Sequence, residues 1–190
     1  TDPYPMLRIV DPTAPFGMRT VLIVAQGKCT SALELSDVIG KAVTASGALI
    51  QRKERQMLEV PLFLDKWLEP AGDAAGSAAL LTPEIESIGR FELAGQVMDS
   101  KCFFGVMRPG RGKTHKACAS LCIRGGIPPS MWVRNRAGGE SILLLTDENG
   151  GPMSMDILPF VADPVSVTGE VVRVGDLLQL RADVAAFQRV

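Results

Sequence analysis

The chain is poor in histidine, aromatic residues and cysteine, and each shortage disfavours a class of protein to which it could belong. Its 190 residues include one histidine, one tyrosine, two tryptophans and four cysteines. One histidine is too few for a standard dinuclear copper centre, and four cysteines are too few for a disulfide scaffold of this size. No apolar run approaches the roughly 18 to 20 residues that a transmembrane helix needs. The chain begins at Thr1 without an initiator methionine, which fits either a mature protein after removal of a leader or a trimmed chain.

The overall charge is close to zero, but it is distributed unevenly. The formal net charge is −1 at pH 7, which disfavours a globally basic nucleic-acid binder. Between Lys101 and Arg136 the chain has lysines and arginines but no acidic residue. This segment predicts a positive surface region, and within it Arg108, Arg111, Lys113 and Lys116 are the candidate partner-binding residues.

An internal repeat is the strongest organisational signal. Each half contains an apolar run, an alternating segment and a second apolar run: residues 20–24, 42–50 and 57–60, then 141–145, 164–172 and 177–180. Gly47 and Gly169 fall at matching places in the alternating segments. The pattern predicts two copies of one supersecondary unit.

Each copy has the pattern of a strand, a short helix and a hairpin, which is typical of the second part of a small Greek-key barrel of the OB type. The sequence therefore predicts a mostly β chain with short helices and two tandem OB-like barrels, although β-sandwiches use similar elements. Residues 70–79 are small and flexible and predict a linker. The predicted domains are residues 1–79 and residues 80–190, the second carrying a long Cys/His insertion.

That insertion, residues 99–129, is the segment whose residue types predict a specific chemical site. Thr114 and Gly125 suit the ends of a short helix that begins at His115. On such a helix His115, Cys118 and Cys122 form one stripe. With Cys102 arriving from the preceding strand, they predict a tetrahedral Cys3His metal site.

Several interpretations of this cluster remain open. Zinc is the first choice of metal, copper is the main competitor with Met107 as a further thioether donor, and an iron–sulfur cluster ranks third. In an oxidising compartment Cys102 could instead pair with Cys118 or Cys122 in a disulfide. The surrounding basic residues favour thiolate, which suits metal binding and thiol redox chemistry alike. Cys29 is predicted to be a small buried residue rather than a ligand.

The insertion resembles a family of uncharacterised bacterial exported or membrane-tethered proteins. The likeness is carried by DSKCFFG at residues 99–105, GKTHKACASLC at 112–122 and GIPP at 126–129, and residues 1–5 are similar to the start of their mature part. It implies that Cys102, His115, Cys118 and Cys122 carry the family signature. It also implies a periplasmic or periplasm-facing location, either as an exported protein or through an anchor in a segment outside this chain.

These observations favour a non-catalytic, metal-stabilised accessory or docking subunit of a bacterial cell-envelope assembly, redox or respiratory in kind. A site whose four positions are all filled by protein ligands has no open position for substrate. The alternative is a copper-handling or thiol-redox protein that uses the same residues. A third interpretation is single-stranded nucleic-acid binding on OB-like barrels, which few aromatic residues and the net charge disfavour. The expected partners are a protein of the same assembly and, through the basic residues, an anionic membrane surface.

Overall fold

A computed structural model describes residues 3–62, 66–72 and 82–190. The described residues are mostly β-strand, with short helical turns between strands. The strands are β1 Met6–Val10, β2 Met18–Ala25, β3 Val43–Ala45, β4 Ala48–Arg52, β5 Arg55–Val60, β6 Leu68–Pro70, β7 Ile85–Asp99, β8 Pro129–Arg134, β9 Glu140–Thr146, β10 Pro164–Val174, β11 Leu177–Arg181 and β12 Phe187–Arg189. The prediction of a mostly β chain with short helices is confirmed. The finer prediction of two tandem OB-like barrels stays a prediction, since the four-stranded N-terminal sheet is open, with β1 and β4 at its edges.

Helical structure is brief in the described residues. A π-helical turn spans Cys102–Val106, and the α-helix Lys116–Arg124 (α1) follows it after a 3-10 turn. The short helices expected after the first strand of each copy are 3-10 turns, Ser36–Val38 and Met155–Phe160. In the described part of the chain, no helix has the length and apolar character required to cross a membrane.

The N-terminal half, which comprises the described residues up to 72, contains a four-stranded sheet. Its order is β1-β2-β5-β4, and β3 pairs separately with β6. β2 runs parallel to β5, whereas β1 with β2 and β4 with β5 are antiparallel pairs. The β4–β5 hairpin turns through Lys53, whose positive φ of 53° fits a tight connection.

The C-terminal half, residues 82–190, contains a six-stranded sheet of order β11-β9-β8-β7-β10-β12. β11 pairs both with β9, in parallel, and with β10, in antiparallel fashion. The 15-residue strand β7 pairs with β10 over most of its length and with β8 near its end. Because β7 ends at Asp99, this long strand delivers the chain to the Cys/His insertion.

The pairing pattern of the two halves agrees with the predicted repeat. In both, a strand lies parallel to the last strand of a hairpin: β2 beside β5, and β9 beside β11. A Cβ placed on Gly47 would lie 2.4 Å from the Glu59 carbonyl oxygen, and one on Gly169 would lie 2.7 Å from that of Arg181. Both glycines therefore allow the same close approach between the strands of the hairpin.

The two halves share an apolar core. One buried cluster lies within the C-terminal sheet, around Val97, Leu145 and Leu180. A second joins Leu22 and Met57 of the N-terminal half to side chains of the insertion and of β9. The predicted boundary at residue 80 and residues 73–79 of the predicted linker lie outside the described residues, so the domain division stays a prediction.

Candidate metal centre

Three thiols converge where the insertion leaves the sheet. Cys102 opens the π-helical turn just after β7, and Cys118 and Cys122 lie one turn apart on α1. Their sulfur atoms all lie within 4.8 Å of one another. Cys102 and Cys122 are buried and Cys118 is partly exposed. We call these three residues the thiol cluster; it could hold a metal ion.

His115 lies beside Asp99 and Cys102. Asp99, Cys102 and His115 form a second group whose ligand atoms lie within 4.8 Å of one another. His115 Nε2 is 3.1 Å from Asp99 Oδ2, and Asp99 Oδ1 accepts a hydrogen bond of 2.8 Å from the Cys102 backbone N–H. Thus Cys102 belongs to both groups, whereas His115 is grouped with Asp99 rather than with Cys118 and Cys122.

Sequence reasoning overlooked Asp99, although a signal was present. The residue ends a strand three positions before Cys102, and its side chain is fully buried. A buried carboxylate needs polar partners, because an unpaired charge inside a protein is costly. Here those partners are the Cys102 amide and the His115 ring, so Asp99 fixes the entry to the insertion and the orientation of the histidine.

The helix that carries two of the thiols differs slightly from the predicted one. α1 begins at Lys116, and His115 precedes it within a 3-10 turn, with no side-chain cap from Thr114. The C-terminal prediction is confirmed, since Gly125 is the C-cap. The short tight turn places His115 off the straight stripe, and this accounts for its grouping with Asp99.

Lys28 is the second residue that sequence reasoning overlooked. It lies in the loop after β2, and its Nζ donates hydrogen bonds of 2.9 Å to Cys122 Sγ and 3.0 Å to Cys118 Sγ. The contacts span 94 and 90 residues of sequence. No local pattern around Lys28 signals them, because they depend on how the two halves pack.

Hydrogen bonding separates the acidities of the buried thiols. A hydrogen bond from Cys102, supported by one from Lys28, lowers the pKa of Cys122 to about 7 against the opposing effect of burial. The same Cys102–Cys122 hydrogen bond, together with burial and the nearby Asp99 charge, raises the pKa of Cys102. Cys122 is therefore the thiol of the pair that ionises more readily.

The four cysteines are free thiols. Cys102 Sγ and Cys122 Sγ are 3.9 Å apart, well beyond the roughly 2.05 Å of a disulfide bond. Cys29 was predicted to be buried, and this is wrong: it is exposed, because it lies in the surface loop after β2, and it belongs to neither ligand group. Met107, considered as a thioether donor, is 45% exposed.

The basic residues of the insertion fall into three different environments. Arg108, Arg111 and Lys113 are exposed, and the Arg111 guanidinium carbon lies 4.3 Å from the centre of the Trp132 ring. Lys116 is half-buried and pairs with Asp163 at 2.6 Å. Lys101 is only 2% exposed, so it does not belong to the positive surface. Arg108, Arg111 and Lys113 form the exposed basic rim.

Comparisons of the chain with protein-family models, with curated proteins and with solved structures give no match.

Proposed function

We propose that this chain binds one zinc ion through Cys102, Cys118, Cys122 and His115 and acts as a non-catalytic accessory subunit of a bacterial cell-envelope assembly, redox or respiratory in kind. The convergence of three thiols within the insertion carries the proposal. Thiolate sulfur and imidazole nitrogen are the preferred donors of structural zinc sites.

The spacing of the sulfur atoms fits such a site. Zinc–sulfur bonds are about 2.3 Å long, so two sulfur ligands of a tetrahedral ion lie roughly 3.8 Å apart. Cys102 Sγ and Cys122 Sγ are 3.9 Å apart. These two donors already stand at the separation that a shared zinc ion requires.

His115 is the proposed fourth ligand, and Asp99 is its partner. Histidines that bind metal ions usually hold a carboxylate or carbonyl with their second ring nitrogen, which fixes the ring orientation. Asp99 engages His115 at Nε2 and so leaves Nδ1 for the metal. Four protein ligands make a site of the structural type, in which zinc stabilises the fold.

Docking is assigned to the basic rim. Arg108, Arg111 and Lys113 project from the same insertion as the thiol cluster, and a rim of one charge favours association with an acidic protein surface. We place the chain on the periplasmic side of the membrane, as the resemblance implies, where anionic headgroups are a second surface for this rim. We further propose that the C-terminal strands form an OB-like frame for this loop, because β11 pairs with both β9 and β10.

The proposal is tested by measuring bound zinc and by substituting cobalt. Wild-type protein is expected to bind one zinc ion per chain, and its Co²⁺ form to show sulfur-to-metal charge-transfer absorption. Cys122→Ser should weaken zinc binding by at least about 100-fold, since removal of a ligand costs more than the 10- to 100-fold loss typical of outer-shell partners. Cys29→Ser is the matched control, because Cys29 lies outside both ligand groups. Wild-type protein that binds no zinc, or full binding by Cys122→Ser, would reject the proposal.

The second candidate is thiol redox chemistry with the same residues. The Cys102 and Cys122 sulfur atoms are in contact at 3.9 Å, and closing them to a disulfide requires a movement of about 2 Å. Oxidation would pass two electrons and two protons from these thiols to an external disulfide, which is reduced to two thiols. Formation of a reversible Cys102–Cys122 disulfide in zinc-saturated protein would favour this candidate over the structural zinc site.

A further inference from the structure

We propose that Lys28 is an ionic partner of the metal site, so that metal binding and the packing of the two halves are coupled. The inference rests on the proposed zinc site. It adds that the N-terminal half, which supplies none of the four proposed ligands, supplies a charge without which those ligands hold the metal more weakly.

The contacts of Lys28 single out the sulfur atoms of α1. Its Nζ lies 2.9 Å from Cys122 Sγ and 3.0 Å from Cys118 Sγ, and 3.5 Å from the Cys118 carbonyl oxygen. Hydrogen bonds in which both groups are charged are about twice as strong as neutral ones. An ammonium group held against two sulfur atoms therefore stabilises both as thiolates, which is the form that binds metal.

Charge balance gives the lysine a role in the loaded site. A divalent zinc ion with three thiolates and a neutral histidine carries one net negative charge. Cys102 and Cys122 are almost completely buried, and an uncompensated charge in such a place is costly. The ammonium of Lys28 offsets the one negative charge of the metal and its four ligands, whereas the buried Asp99 carboxylate is held by the Cys102 amide and the His115 ring.

The backbone holds the loop of residues 26–31 directly against the end of α1. Ser31 N–H donates to the Gly125 carbonyl oxygen at 2.9 Å. A Cβ placed on Gly125 would lie 1.4 Å from the Lys28 carbonyl oxygen, so only glycine allows this approach. Main-chain contacts of Lys28 itself and of Ser31 with Gly125 therefore hold the backbone that carries the Lys28 side chain.

A second lysine joins the same loop in the opposite direction. Lys101, the residue before Cys102, donates from Nζ to the carbonyl oxygens of Ala25 at 2.8 Å and Gly27 at 2.9 Å, and it pairs with Glu59. Lys101 of the insertion therefore contacts the loop after β2, and Lys28 of that loop contacts the thiol cluster. Through these two contacts, a change at the metal site acts directly on the N-terminal half.

The first experiment compares the zinc affinities of Lys28→Met and Lys41→Met, measured by competition with a chromophoric chelator. Both substitutions remove one positive charge from the N-terminal half, but Lys41 is exposed and belongs to neither the thiol cluster nor the basic rim. Lys28→Met should bind zinc about 10- to 100-fold more weakly, the usual loss for an outer-shell partner. Lys41→Met should stay within about twofold of wild type, and Lys28→Arg should recover part of the loss. Equal affinities of the two methionine variants would overturn the inference.

The second experiment tests the coupling itself by amide hydrogen exchange with zinc alone as the probe. In wild-type protein, zinc should slow exchange both in residues 100–127 and in residues 26–31. In Lys28→Met at saturating zinc, protection should persist in the insertion but fall in residues 26–31. Zinc-dependent protection of residues 26–31 that is unchanged in Lys28→Met would also overturn the inference. Wild-type protein that binds no zinc would instead reject the zinc site, so the two failures are distinguishable. If Lys28→Met does not fold, Lys28→Arg is compared with wild type: weaker zinc binding supports the inference, and equal binding overturns it.

Discussion

The two halves use one pairing scheme for different purposes. In each, a strand lies parallel to the second strand of a hairpin, and a glycine in the hairpin allows a close backbone approach. The C-terminal half adds β7 and, after it, an insertion that carries the thiol cluster, Asp99 and His115. The candidate site therefore lies where the two copies differ, and the repeated strands form the frame that carries it.

The half without the insertion is nevertheless part of the site. Its loop after β2 contacts two of the three clustered sulfur atoms through Lys28 and accepts Lys101 from the insertion. Substitutions that act on one copy, on its counterpart or on the contact between them therefore separate the frame from the site.

Gly125→Ala should destabilise the protein most. The new methyl group would lie 1.4 Å from the Lys28 carbonyl oxygen, so the loop after β2 or the end of α1 must move. We expect a loss of about 3 kcal/mol or more in the free energy of unfolding, at the upper end of overpacking effects. Urea denaturation measures it, with Gly72→Ala as the control because, its chain neighbours aside, no atom of the described residues lies within 4 Å of its added Cβ. A loss below about 1 kcal/mol would show that the halves are not held by this contact.

Gly169→Ala and Gly47→Ala compare the two copies directly. Both methyl groups would meet a carbonyl of the hairpin partner, but Gly169 is buried beside Leu180 and Ala182 whereas Gly47 is exposed. We expect a loss of about 2 to 3 kcal/mol for Gly169→Ala and about 1 kcal/mol for Gly47→Ala, because the exposed hairpin can relax into solvent. Thermal and urea unfolding of the two variants measure the difference. A reversed order would mean that the N-terminal hairpin is the more constrained copy.

Tyr4→Phe should cost about 1 to 2 kcal/mol, because it removes a buried hydrogen-bond partner. The Tyr4 hydroxyl donates to the Leu145 carbonyl oxygen at 2.8 Å and accepts from the Met153 N–H at 2.9 Å, so it fastens the start of the chain to the C-terminal half. Burial raises the pKa of Tyr4 above its ordinary value of 10.0. Above pH 10 the unfolded chain releases this proton while the folded chain keeps it, so stability falls as the pH rises.

The chain has one tyrosine, and therefore tyrosinate absorbance reports Tyr4 alone. It should appear together with unfolding in an alkaline titration, and the contribution of this group to the pH dependence should vanish in Tyr4→Phe. Ionisation of Tyr4 in a fully folded protein near pH 10 would contradict the buried position.

Lys116→Ala should have the smallest effect. Its ion pair with Asp163 is 2.6 Å long but partly exposed, with 37% of the lysine side chain accessible, and such pairs are worth up to about 1 kcal/mol. We expect a loss below about 1 kcal/mol and an unchanged zinc affinity, in contrast to Lys28→Met. Denaturation and chelator competition measure the two quantities. A large loss of affinity would assign Lys116 to the proposed zinc site as well.

The sequence predicted the parts of the fold that depend on local patterns. Alternation and turn residues located the hairpins, and the spacing of Gly47 and Gly169 located a matched close approach that the backbone confirms. The spacing of Cys118 and Cys122 on a helix, together with a strand before Cys102, was enough to predict that the thiols meet. A repeat and a helical stripe are short-range features, and they are readable without knowledge of packing.

The remaining features depend on contacts between distant segments. Lysines in a charge-rich segment look alike in sequence, yet Lys101 is buried against backbone carbonyls while Lys113 is exposed. Lys28 meets sulfur atoms about 90 residues away only because the halves share a core. His115 was predicted on the helical stripe, but a 3-10 turn rotates it toward Asp99. The periodicity of the sequence does not predict such tertiary contacts.

The buried ammonium of Lys101 has a consequence for how selective the fit between the halves is. An apolar interface alone would tolerate a shift of one half against the other by a residue, since any apolar side chain can replace another in the contact. The lysine requires the carbonyl oxygens of Ala25 and Gly27 and the carboxylate of Glu59 at fixed positions, and any shifted arrangement would strand its charge away from water. A first half grafted from another protein would have to present the same three oxygens, in the same places, before it could replace this one.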